Sequence, residues 1–148
     1  MKPVSAEKTG AKPLSILNPV PIWAIEESSR KKGALYIKEA LKRLKRELAI
    51  QVMDDGVHWE QSPMYHNEVL RCILEVLRVA ELYEIPVAED IEKAARAMAM
   101  ADLLWSKPDH TQPANGDSDR TDLRDVLTPA AWLLKDPLLR FGGYDCLG

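Results

Sequence analysis

The residues best suited to chemistry crowd into one stretch, Asp54-Asp55-Gly56-Val57-His58-Trp59-Glu60-Gln61-Ser62-Pro63-Met64-Tyr65-His66. It offers a phenol, two imidazoles and three carboxylates, which are groups that give, take or steer protons. An imidazole changes charge near neutral pH, whereas a free phenol, with a pKa of about 10, needs a cation or a hydrogen-bond donor beside it to act as a base. Each histidine has an alternative reading as a structural residue with satisfied ring nitrogens, and Tyr65 has one as an aromatic packed at a helix start. Ser62 has no base and acid to form a triad with, and reads as a helix cap.

The local residue types dictate how this stretch is held. Asp-Asp-Gly is a turn, because Gly56 tolerates positive φ and aspartates bond to nearby backbone N–H groups. Ser62-Pro63 starts a helix, with serine accepting from free N–H groups and proline suited to the first position. Tyr65 and His66 then lie in the first turn of that helix.

The flanking segments are helical. From about Lys31 to Met53, Ile37, Leu41, Leu44, Leu48 and Val52 recur on one face, opposite Lys38, Lys42, Lys45 and Arg46, which read as a solvated face. Pro63 to about Glu84 is apolar on most sides, so most of it needs covering, and Cys72 within it reads as buried. Ile85-Pro86-Val87 ends that helix. A third runs from about Ala88 to Ser106, with Ile91, Ala94, Ala95, Met98, Ala101, Leu104 and Trp105 inward. Lys107 to Arg120 is a polar loop, with Asp119 or Thr121 as a cap for a short helix from Asp122 to about Lys135, which Pro129 kinks or restarts. A last turn begins at Asp136. Short connections between helices imply antiparallel hairpins and an all-α fold. Before all this, prolines 3, 13, 19 and 21 break residues 1–29 into an irregular, partly disordered segment in which Trp23 to Ser29 could form a helical turn.

At 148 residues the chain is the size of one domain. A net charge of −3 argues against a general nucleic-acid binder. No apolar run approaches the roughly 20 residues of a membrane helix. Two cysteines, Cys72 and Cys146, give neither a disulfide framework nor a metal spacing. Asp117-Ser118-Asp119 lacks the remaining positions of a calcium loop. No metal and no cofactor is expected. With no signal peptide in Met1 to Lys12, the sequence as written reads as cytoplasmic; a truncated N-terminus would make it periplasmic or secreted.

Asp55-Gly56-Val57-His58, followed by Glu60-Gln61-Ser62-Pro63 and Tyr65-His66, resembles the signature of the heparinase II/III family of polysaccharide lyases. The resemblance extends from about Tyr36 to about Leu139 and includes Pro113-Ala114-Asn115-Gly116-Asp117-Ser118-Asp119. It implies that residues 30–148 form part of an N-terminal (α/α) toroid built of helical hairpins. It also implies β-elimination of a uronic-acid polysaccharide such as heparan sulfate or alginate. By resemblance, Tyr65 and His66 are the catalytic positions and His58, Glu60 and Asp117 are substrate-binding ones, with an acidic polysaccharide as partner. The family's asparagine, which neutralises the substrate carboxylate, is not matched by Asn18, which sits in a proline-broken context. The family's histidine from a later β-sheet domain has no counterpart either. The chain therefore reads as an internal piece of a lyase, inactive alone or completed by the remainder. The alternative is a non-catalytic helical module that binds glycan or a partner protein.

Overall fold

The computed structural model describes residues 22–143, with side chains from Glu26 onward. Cys146, Tyr144 and the first 21 residues, including most of the segment expected to be irregular, lie outside the described residues. Contacts divide the chain into Met1–Leu35 and Tyr36–Gly148. Among the described residues the fold is all-α, with helices α1 (Ile22–Gln51), α2 (Pro63–Leu82), α3 (Glu89–Trp105), α4 (Arg124–Leu133) and α5 (Leu139–Gly143).

α1 starts earlier than its periodicity suggests. Residues 22–29, expected as part of an irregular segment with a helical turn open to Trp23–Ser29, are continuous with α1. Pro21 is the last of the early prolines, and nothing after it breaks a helix before Gly33. An i,i+4 pair between Lys31 and Glu27 (2.7 Å) supports the solvent-facing opening. Farther along, Leu48 is buried in the core, and Leu41, Leu44 and Val52 pack against it half-covered. The cationic face of α1 is a solvated one: Arg43 pairs with Glu39, Arg46 with Glu47, and Lys45 reaches Asp90 at the start of α3 (2.6 Å), all at the surface. Solvent screening leaves each such pair little influence on stability.

α2, α3 and α4 form the centre. Leu70, Ile73, Leu74 and Leu77 of α2 meet Ile91, Ala95, Met98 and Ala99 of α3, and Val126, Leu127, Ala130 and Ala131 of α4. α5 closes against α4 through its glycines: a Cβ on Gly142 would press on Leu127 and Leu103, and one on Gly143 on the Thr128 backbone. α4 runs through Pro129 without a break. It starts at Arg124, whose N–H is taken by Asp122 (2.9 Å) rather than by the expected Asp119 or Thr121.

Two expected burials are corrected. Cys72 is exposed on α2, and Leu104 is 79% exposed on α3 while its neighbour Leu103 is half-buried. Val79 and Leu82 of α2 are exposed too. Helical period identifies a stripe; whether another element covers it depends on the rest of the fold. No described helix is long and apolar enough to cross a membrane.

Candidate functional site

The turn between α1 and α2 is tied down from within. Val57 N–H donates to the Asp55 carboxylate (2.9 Å), Gly56 N–H to Met53 O (2.9 Å) and Met53 N–H to Val57 O (2.9 Å). Gly56 adopts φ +85° and lies against the α3 backbone at Ala97. Ser62 caps α2, accepting from Tyr65 N–H, and Pro63 occupies the first helical position. These local features follow the residue types.

The two imidazoles go inward: His66, expected as a catalytic position, and His58, expected as a substrate-binding one, are both buried. His66 is fully buried. Its Nδ1 accepts the His58 backbone N–H (3.1 Å), and its Nε2 lies 3.1 Å from Met98 O, which can only accept. Nε2 therefore carries the proton and Nδ1 the lone pair. Protonating Nδ1 would set one N–H against another. The neutral ring pins the turn to α3, one carbonyl along from where Gly56 touches it. Trp105 packs edge-on against the ring at 4.9 Å. His58 is also buried, with Nε2 3.2 Å from Gln51 Oε1 and Nδ1 without a partner among the described residues.

Burial, opposed by the Met98 carbonyl, holds the His66 pKa down at about 4. Asp102, fully buried with Oδ2 3.8 Å from His66 Nε2, is pushed the other way, well above the usual carboxylate range, by burial; its Oδ1 accepts from Trp105 Nε1 (3.0 Å). Both shifts disfavour the charged forms, so burial works against an ion pair here. A folded pKa depressed from 6.5 to about 4 means that the unfolded chain binds the proton first. Stability from this group is complete above pH 6.5 and falls as pH drops toward 4, by about 3 kcal/mol. Asp102 has the opposite sign: it loses stability as pH rises above its ordinary value, which flattens the slope. Urea denaturation from pH 7 to 4 should show a steeper acid loss in Asp102→Asn and a shallower one in His66→Gln. An unchanged slope in His66→Gln would remove His66 as the cause.

The phenol goes outward. Tyr65 is 39% exposed, and its O–H donates to Asp117 Oδ2 (2.9 Å). Asp117 comes from the polar loop, 52 residues away. Ser118, next to it, fastens the loop to the helix start: its hydroxyl lies 2.8 Å from Ser62 Oγ and accepts from Met64 N–H (3.1 Å), while Ser62 Oγ donates to Asp117 O (3.1 Å). Behind it, the buried Gln112 donates to Asp119 O (2.6 Å) and Thr121 Oγ1 (3.1 Å), and accepts from Asn67 of α2. Sequence reasoning missed Ser118, Gln112 and Asn67, although Ser118 lies inside the Gly-Asp-Ser-Asp segment already singled out.

Of the expected site residues, Tyr65, Asp117 and the exposed Glu60 face solvent. The hydrogen bond and charge of Asp117, followed by burial and the charge of Glu60, raise the Tyr65 pKa. The site therefore favours a phenol over a phenolate. Asp117→Asn removes the larger influence, so Tyr65 should ionise at lower pH. Ultraviolet difference titration, with Tyr65→Phe identifying the signal, checks this; an unmoved or higher midpoint contradicts the coupling.

Fold and site together define an all-helical domain that presents a carboxylate-held tyrosine at a helix start. The N-terminal domain of the heparinase II/III family matches residues 30–134, and the chain belongs to that family. It is similar to a heparin-sulfate lyase of Bacteroides stercoris, 30% identical over 103 residues, which are 66% of this chain and 15% of that protein. The chain thus spans a small part of that relative's length. No solved structure matches it.

Proposed function

We propose that this domain contributes the proton-donating side of a β-elimination site for a uronic-acid polysaccharide, with Tyr65 as the general acid. The observation that carries the reading is the exposed Tyr65 hydroxyl, held at 2.9 Å by Asp117 in a setting that keeps it protonated. In the elimination, a base takes the C5 proton, the C5–H electrons form the C4–C5 double bond, and the C4–O bond breaks. The Tyr65 proton then passes to the departing glycosidic oxygen. A departing alkoxide is far more basic than a phenolate, so this transfer is favourable even from a weakened acid.

The same setting argues against Tyr65 as the base, since both groups that act on its charge, Asp117 and Glu60, are acidic. This reading assigns the base and the group that neutralises the uronate to the additional length of a lyase the size of the relative. His66 and His58 then serve as positioning residues, and Glu60 and Asp117 border the sugar. The test is product formation: heparan sulfate and alginate are incubated with the chain, alone and joined to the remaining length of such a lyase. The ultraviolet absorbance of an unsaturated uronate is followed. Product in neither preparation with any uronate would end the proposal.

A second reading, a non-catalytic module that binds a partner, draws support from an apolar groove lined by Ile37, Ala40, Leu41, Val76, Val79 and Ile85. A monomer with a sharp thermal transition would favour it, whereas strong binding of an apolar dye and aggregation would favour a piece of a lyase that lacks its neighbours.

A further inference from the structure

At the opposite end of α2 from Tyr65 lies an open cavity of about 510 Å³, lined by Glu81, Trp132, Lys135, Asp136, Pro137 and Arg140 over a floor at Ala131. We propose that it is a separate binding site for one anionic sugar unit of a sulfated or uronate-bearing glycan. Tyr65 and Glu81 are 16 residues apart on one helix, so the two sites are separated by roughly 24 Å.

Three features carry the assignment. Trp132 is 66% exposed on the last turn of α4 and lines the cavity. A pyranose ring stacks its C–H face on such an indole, which combines a large apolar surface with a polar edge. Lys135 supplies a cation that no ion pair engages among the described residues, while Asp136 is already neutralised by Arg96. Glu81 can accept from sugar hydroxyls, as a mixed polar and apolar lining requires.

The rim is also built rather than loose. Arg96 donates to Leu134 O (2.7 Å) and pairs with Asp136, and Leu138 N–H donates to Asp136 Oδ1 (2.9 Å). These bonds clamp the residues on both sides of Lys135, which is held at φ +51°. Glycine is the residue that adopts this geometry most easily after a helix C-terminus. A lysine there places a cation at the cavity at some conformational cost.

That strain supplies the discriminating variant. Lys135→Gly relieves the backbone and removes the charge, so its thermal midpoint should match or exceed the parent's. The whole chain is titrated with a sulfated, uronate-containing disaccharide, with cellobiose and with inorganic sulfate, and backbone amide and indole NMR shifts are followed. The expected result is saturable shifts at residues 131–140 with the anionic disaccharide only, about tenfold weaker in Lys135→Gly and in Trp132→Ala. Unchanged affinity in Lys135→Gly, equal binding of cellobiose, or equal binding of sulfate would overturn the proposal. So would shifts confined to the Tyr65 end. Binding here should be indifferent to Tyr65→Phe, so failure of the elimination reading leaves this result intact.

Discussion

Replacing Gly56 by alanine is expected to cost the fold about 4 kcal/mol or more, enough to unfold a marginal domain. Two penalties add. At φ +85° an L side chain is strained by roughly 1–2 kcal/mol, and the new Cβ would overlap the carbonyl of Ala97 in the middle of α3. Neither that carbonyl nor the helix carrying it can yield cheaply, because the next carbonyl, Met98 O, is bound to His66. Gly116 is the control: it has φ +60° with nothing within 4 Å of a built Cβ, so Gly116→Ala should lose only about 1 kcal/mol. Urea denaturation of both variants measures the difference. Equal losses would mean that the backbone conformation, and not the contact with α3, is what glycine serves at position 56.

Tyr65→Phe is expected to lower turnover by about 10²–10⁴-fold in any preparation that forms unsaturated product, the range lost with a general acid. The ring is partly exposed and its hydroxyl bonds to an exposed carboxylate, so stability should be nearly that of the parent. The rate loss and the intact fold must appear together. If Tyr65→Phe turns over at the parent rate, the phenol is not the acid. If it loses rate only because it unfolds, the tyrosine is structural. Asp117→Asn gives a finer reading. It keeps an oxygen for the Tyr65 hydroxyl while removing the charge, so the high-pH limb of activity should move to lower pH as the phenol ionises sooner.

Much of this was legible in the sequence, for a physical reason that can be located. The Asp55–Gly56 turn, the Ser62 cap and the Pro63 start act through atoms a few bonds apart, so residue type and order suffice to find them. The resemblance, resting on residues 55–66 and the later Gly116-Asp117-Ser118-Asp119, identified the family and drew attention to Tyr65 and Asp117. It could not tell which titratable side chains face solvent. His66 stands beside Tyr65 in sequence, yet consecutive helical residues point about 100° apart. One goes to Met98 and the other to Asp117. The partners of His66 and Gln112 come from 32 and 45 positions away, where no local pattern reaches. The exposures of Cys72 and Leu104 were misread for the related reason that an apolar stripe does not say whether anything covers it.

The sequence separations of these contacts also set an order of assembly. The His58–His66 bond closes eight residues and the Tyr65–Asp117 bond 52. Closing the longer loop costs roughly 1.5–2 kcal/mol more chain entropy, and it must wait for α3 and the polar loop behind it. On the ribosome the tyrosine emerges some fifty residues before the carboxylate that holds it. The inner fastening can therefore form on a growing chain, whereas the outer, solvent-facing pair belongs to the last stage of folding.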